Sequence, residues 1–166
     1  MITLVLGGAR SGKSVVAEGL VRRHPAPVNY VATLLLGDDP DLADRVATHR
    51  RRRPPDWATV EPGLELPAAL AALDGTALVD SLGPWVSAHP GMDPGVDALC
   101  SALVGRRGDT VLVAEEVGMG VHPSSPEGRQ FRDALGSVNQ AVAAVADRVV
   151  LVVAGRVLPL LPAEGS

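Results

Sequence analysis

Near its N-terminus the chain carries Gly7-Gly8-Ala9-Arg10-Ser11-Gly12-Lys13-Ser14, a G-x-x-x-x-G-K-S spacing. Each residue type has a task in gripping phosphate. The glycines let backbone N–H groups close in, the lysine ammonium reaches the terminal phosphates, and the serine hydroxyl is offered to Mg2+. The spacing carries this meaning only between a strand and a helix. Ile2 to Leu6 reads as a short buried strand, and Lys13 to about Arg23 as a helix carrying Val15, Val16, Ala17, Leu20 and Val21. The flanks are therefore right, and a helix N-terminus adds its own attraction for anions. ATP or GTP is the expected ligand. Of the 15 basic residues Lys13 is the sole lysine, so the one compact ammonium in the chain sits where a phosphate needs a point charge.

Such a cradle also needs a carboxylate at the end of a neighbouring strand to hold the metal or its waters. Asp80, closing the apolar run Thr76-Ala77-Leu78-Val79, is the first candidate beside Ser14, and Glu116, after the run Thr110 to Ala114, is the second. A third group is chemically suggestive. If Asp41 to Arg53 is helical, Arg45, His49 and Arg53 fall at i, i+4 and i+8, with Arg52 three residues from His49. Surrounding guanidinium groups disfavour the imidazolium and keep the ring in the neutral form that attacks phosphorus. The same spacing also describes an exposed basic helix face with no catalytic role, and the residues alone leave both readings open. His24, His89 and His122 lack a second ligand at metal spacing and read as surface residues.

Positioning these groups takes an alternating scaffold. Val28 to Thr33, Thr59-Val60, Thr76 to Asp80, Thr110 to Ala114, Val149 to Ala154 and Val157 to Leu161 read as strands, the last two as a hairpin across Gly155-Arg156. Helices are expected from Pro40 to about Arg53, Leu66 to Leu73, Val96 to Val104 and Glu127 to Ala146, with Pro84, Pro90 and Pro94 breaking up the region between. Short buried strands alternating with helices predict an α/β fold with a mostly parallel sheet covered on both faces.

A length of 166 residues fits a single domain spanning 1–166, and 46% hydrophobic content with 2% aromatics implies an aliphatic core. The net charge of -4 argues against a general nucleic-acid binder. The apolar run Ile2 to Leu6 is too short for a membrane span or a signal segment, which makes the cytoplasm the default location. The single cysteine, Cys100, excludes an intrachain disulfide and reads as a small buried apolar residue. A frayed tail is expected from Pro162 to Ser166.

Several segments, in order along nearly the whole chain, resemble the bifunctional adenosylcobinamide kinase/adenosylcobinamide-phosphate guanylyltransferase family of cobalamin biosynthesis. They are the phosphate loop, Tyr30-Val31-Ala32-Thr33, Arg45-Val46-Ala47-Thr48-His49-Arg50 with Arg53-Pro54 and Trp57, Glu61, and Leu78-Val79-Asp80 with Trp85. Glu116-Val117-Gly118-Met119-Gly120, Phe131 to Gly136 with Asn139-Gln140, and Val152-Val153-Ala154-Gly155 complete the set. The resemblance implies a P-loop NTPase, RecA-like fold and a cyclic homo-oligomer, with a trimer favoured. It also implies Mg2+, with GTP and ATP as substrates and a corrinoid as the acceptor. Two reactions follow: phosphorylation of adenosylcobinamide, then transfer of GMP from GTP to adenosylcobinamide phosphate through a GMP-histidine intermediate on His49. Nucleotide contacts implied by the family fall on Gly7 through Ser14, on Thr33, Leu34 and Leu35, on Arg50, Arg51, Arg52 and Arg53, on Glu61 and on Asp80.

The chain departs from the family pattern in three places. Ser81-Leu82-Gly83 stands where Cys-Leu-Thr is usual, with Ala88 at a later Asn position. Ala114-Glu115 stands where Ser-Asn or Thr-Asn is common, and the stretch after Trp85 is short. Two other function classes fit a bare phosphate loop: a small-molecule kinase of another substrate, and a GTP-binding regulatory protein.

Overall fold

In this computed structural model, residues 1–24, 27–34 and 54–162 are described. The strands are β1 (Ile2–Gly7), β2 (Val28–Ala32), β3 (Ala58–Val60), β4 (Thr76–Asp80), β5 (Thr110–Glu115), β6 (Arg148–Val153) and β7 (Arg156–Leu160). Between them lie α1 (Lys13–Val21), α2 (Leu66–Ala72), α3 (Leu82–Ala88), α4 (Val96–Gly105) and α5 (Pro126–Val145), with a 3-10 turn at Pro90–Met92. The seven strands form one sheet in the order β3-β2-β4-β5-β1-β6-β7. Every neighbouring pair is parallel except β6 with β7. The mostly parallel α/β sheet expected from the strand and helix alternation is therefore what forms. The helix expected from Pro40 to Arg53 lies outside the described residues.

Successive side chains of a strand point to opposite faces, and this sorts the aliphatic residues into two cores. On one face Leu4, Leu6, Val79, Leu112 and Ala114 pack with Leu66 and Leu70 of α2, Leu82 and Trp85 of α3, Leu99 and Leu103 of α4, and Leu135, Val138 and Val142 of α5. On the other face Val5, Tyr30, Leu78, Val111 and Val113 pack with Ala17 and Val21 of α1. Helices thus cover both faces, as a parallel sheet requires. Helix α5 shows why its sequence folds this way. Its buried Leu135, Val138, Asn139 and Val142 recur at i, i+3, i+4 and i+7. At its start Pro126 follows the cap residue Ser125, whose hydroxyl accepts from Gly128 N at 3.0 Å.

Two local expectations need correction. Pro84 does not interrupt the chain but lies inside α3. It occupies the first turn, where a backbone N–H has no intrahelical partner and its loss costs nothing. The hairpin turn is Ala154-Gly155 rather than Gly155-Arg156, because Val153 pairs with Arg156. Both turn residues have positive φ, 49° and 72°, the geometry that matches the twist of two-residue hairpins.

A half-buried arginine ties the two sides of one sheet end together. Arg106, following α4, donates from Nη1 to Leu70 O at 2.5 Å and Leu73 O at 3.0 Å, and from Nη2 to Gly75 O at 2.7 Å. Its Nε donates to Thr110 Oγ1 at 3.0 Å. One guanidinium thus satisfies the carbonyls at the C-terminal end of α2 and fixes the entry to β5. Burial pulls its pKa below the usual arginine value, with Asp74 opposing.

Candidate functional site

Register brings the candidate residues to one edge. Gly7 is paired with Glu115 across β1 and β5, and Ala32 with Asp80 across β2 and β4. The carboxyl ends of these strands converge where α1 begins, the usual location for ligands in a parallel α/β sheet.

Space and backbone conformation dictate the loop between β1 and α1. A Cβ on Gly7 would lie 2.5 Å from Ser11 Oγ and 2.8 Å from the Val152 carbonyl oxygen. Gly12 has φ 93°, a left-handed conformation open to glycine. Ser11 N donates to Gly8 O at 3.3 Å, Lys13 N to Ser11 Oγ at 3.3 Å, and Gly155 N to Ser11 O at 2.8 Å. The loop is thus closed on itself and tied to the β6-β7 turn. Lys13 Nζ donates to Gly8 O at 3.4 Å, folding back over the loop.

Asp80 and Ser14, the first pair proposed for a metal, are in contact. Ser14 Oγ donates to Asp80 Oδ1 at 3.2 Å, and Tyr30 Oη to Asp80 Oδ2 at 2.8 Å. Period-two alternation explains the meeting, since Tyr30 and Leu78 belong to the α1-side core and Asp80 follows Leu78 on that face. A carboxylate and a hydroxyl are hard oxygen donors that suit Mg2+, an ion held by one or two protein oxygens plus phosphates. No group of three or more His, Cys, Asp or Glu able to hold a metal by itself occurs among the described residues.

Thr33, fully buried, donates from Oγ1 to Ser81 O and so ties the end of β2 to the start of α3. Leu34 is half-buried beside it, and Glu61 is exposed just after β3. Leu35, His49 and Arg50 through Arg53 lie outside the described residues, as does Arg45. The remaining histidines have local partners: His24 Nδ1 lies 2.7 Å from Asp109 Oδ2, His89 Nδ1 2.7 Å from Trp85 O, and His122 Nδ1 2.8 Å from Arg132 Nη1. Cys100 is half-buried rather than buried, because Leu99 and Leu103 take the core face of α4.

Of the two acids at the end of β5, Glu115 rather than Glu116 has its carboxylate beside Lys13. Glu116 donates its N–H to Gly7 O at 3.1 Å, while its carboxylate accepts from Gly118 N at 2.7 Å within its own turn. Glu115 Oε1 stands 3.7 Å from Lys13 Nζ. Adjacent residues leave a strand on opposite faces, and Glu115 continues the alternation of Val111 and Val113 toward α1. In the sequence Glu115 stands out only as one of two acids, with Glu116, that follow the Thr110 to Ala114 run, and as a departure from the family pattern. The signal that identifies it is its pairing with Gly7, which becomes visible only once the strand order is known.

The sheet order, the loop closing over the start of α1 and the carboxylate meeting Ser14 together define an α/β protein of the P-loop NTPase type. The description of the family that matches residues 3–160 is cobinamide kinase / cobinamide phosphate guanyltransferase, and the chain belongs to this family of transferases. It is 38% identical over 169 residues to the bifunctional adenosylcobalamin biosynthesis protein CobP of Pseudomonas aeruginosa, covering 96% of this chain and 97% of that one. It is also 38% identical over 177 residues to the bifunctional adenosylcobalamin biosynthesis protein CobU of Salmonella typhimurium, covering 93% and 97% respectively. Among solved structures, a prototypical ATPase from the type III secretion system of pathogenic bacteria shares the fold at a TM-score of 0.57 and 9% identity. The match covers 90% of this chain but half of that ATPase, and the likeness is one of fold alone. No helix among the described residues is long and apolar enough to cross a membrane.

Proposed function

We propose that this chain, acting as one unit over residues 1–166, phosphorylates adenosylcobinamide with ATP or GTP and then transfers GMP from GTP to adenosylcobinamide phosphate. The observation that carries the reading is the contact of Ser14 with Asp80 at the mouth of the glycine loop, 3.2 Å between oxygens, within a chain matched by the family over residues 3–160. Backbone N–H groups from Gly8 to Ser14 would surround the phosphates, and Lys13 would swing from Gly8 O onto the terminal ones. Mg2+, held with the phosphates by Ser14 and Asp80, would supply charge neutralisation on the transferring group. Thr33, Leu34, Leu35 and Glu61 would border the nucleotide, with Arg50 through Arg53 neutralising its charge.

In the second reaction the reading assigns His49 as the nucleophile. A neutral imidazole nitrogen would attack the α-phosphorus of GTP and release pyrophosphate, and the bound GMP would then pass to the phosphate oxygen of the corrinoid. Splitting one displacement into two in this way explains why a histidine should stand among arginines. The reading carries with it a homo-oligomer, a trimer by preference, and action in the cytoplasm, where GTP and ATP are at hand.

Purified protein incubated with adenosylcobinamide, GTP and Mg2+ should yield adenosylcobinamide phosphate and then adenosylcobinamide-GDP, identified by mass spectrometry. With α-labelled GTP, label should appear on the protein in an acid-labile bond and be lost in His49→Ala. Phosphorylation without protein labelling removes the histidine intermediate, and no corrinoid product at all removes the reading.

A further inference from the structure

Glu115 is a charged group at the mouth of the cradle to which the phosphate-binding reading gives no task. Its carboxylate is held at both oxygens. Ser81 Oγ donates to Oε1 at 2.7 Å and Gly83 N to Oε2 at 3.0 Å. Its peptide is fixed as well, because Asn139 Nδ2 donates to Glu115 O at 3.1 Å. Oε1 lies 3.7 Å from Lys13 Nζ, the two side chains being 27% and 13% exposed. Gly83 makes the arrangement possible: a Cβ there would overlap Glu115 Oε2 and stand 3.0 Å from its Cδ. Gly83, with no side chain, thus leaves the seat that the Glu115 carboxylate fills.

Two anions then compete for one ammonium. A bound triphosphate needs Lys13 for its terminal phosphates, and Glu115 is already beside that ammonium. An arriving nucleotide must take Lys13 from the carboxylate and afterwards keep a like charge near its own phosphates, and both effects oppose binding. We infer that Glu115, seated in the space left by Gly83, is a positioning residue that acts through Lys13: it holds the ammonium at the cradle and lowers the affinity for nucleotide, which favours release of the spent one. The inference rests on the reading of the cradle as the nucleotide site.

The test is calorimetric titration of GTP, in excess Mg2+, into the wild type, Glu115→Gln, Glu115→Asn, Gly83→Ala and Gly83→Ala combined with Glu115→Asn. Removing the charge should tighten GTP binding roughly three- to tenfold, the range expected of a partly buried ion pair. Gly83→Ala, by pushing the flexible carboxylate off its seat, should tighten binding in the same direction. Added to Glu115→Asn it should change the dissociation constant by less than about twofold, the non-additivity of two residues that share one contact. In turnover, KM for GTP should fall along with the dissociation constant. A purely structural role predicts the opposite, since a loosened cradle binds more weakly. Equal or weaker binding by Glu115→Gln overturns the inference, and so do additive effects of the two positions. If Glu115→Gln does not fold, Glu115→Asn and Gly83→Ala carry the same expectation independently. A wild type that binds no GTP removes the nucleotide reading itself and the inference with it, an outcome distinct from a wild type that binds while its variants are unchanged.

Discussion

Ser14 Oγ reaches Asp80 Oδ1 at 3.2 Å across a sequence separation of 66 residues. The second residue of α1 and the last of β4 are thus joined through their side chains, with Tyr30 holding the other carboxylate oxygen. Asparagine at position 80 would keep an acceptor for one of these hydroxyls but bring an NH2 group where a metal needs an anion. Asp80→Asn is expected to lower kcat for phosphoryl transfer by roughly a hundredfold or more, the scale for losing one group that stabilises transition-state charge. Its Tm should stay within a few degrees of the wild type. Steady-state kinetics with a parallel melting curve checks both halves.

Neighbouring glycines in the cradle should behave differently. A Cβ at Gly7 meets the Val152 carbonyl oxygen at 2.8 Å, a backbone atom that cannot turn aside, whereas one at Gly8 meets nothing within 4 Å. Gly7→Ala is expected to destabilise the fold by about 1–3 kcal/mol and to weaken GTP binding. Gly8→Ala should fold like the wild type. Chemical denaturation of the two variants side by side reads the difference.

Arg106 offers a test of the scaffold away from the site. Truncation to alanine leaves the carbonyls of Leu70, Leu73 and Gly75 without the donor that now reaches all three. Hydrogen bonds to a charged group are worth about 1.5–3 kcal/mol in net terms when buried, and water can replace part of these at a half-buried side chain. Arg106→Ala should cost roughly 2–4 kcal/mol of unfolding free energy, less than the sum of the bonds, and Arg106→Lys should recover little of it, because an ammonium cannot present the same planar fork.

Cys100 provides a pH readout. Burial, and then the nearby charge of Asp97, push its thiol above the usual cysteine value. The reactive species is the thiolate, and a raised pKa leaves less of it in the folded protein than in the unfolded chain at the same pH. Alkylation by iodoacetamide at pH 8 should be slower in native than in denatured protein. The gap should narrow as pH rises above the ordinary thiol value, and a native rate equal to the denatured one would contradict the shift.

Much of this was legible in the sequence because strands buried on both faces and a helix with one apolar stripe leave strong periodic signals. Ile2 to Leu6, the start of α1 at Lys13 and the strand ending at Asp80 were readable in that way. So was the α5 stripe of Leu135, Val138 and Val142. What periodicity cannot supply is the register between strands distant in sequence. That β5 lies between β1 and β4 is a matter of strand order, and that Glu115 is the residue paired with Gly7 is a matter of register. The same blindness covers Arg106, whose four acceptors come from α2, the following turn and β5. The one-residue slip in the hairpin turn arose because Ala154 takes a positive φ that its side chain disfavours, leaving glycine as the visible marker.

The hairpin that ends the sheet has a mechanical consequence. Gly155, at its tip, is bonded to the Ser11 carbonyl at 2.8 Å, while β7 runs along the outer edge with Val157, Leu158 and Leu160 exposed. The outermost strand and the phosphate loop thus share one joint: the tip of the edge hairpin is bonded to the residue that precedes Gly12 and Lys13, and Gly12 itself lies against Gly155.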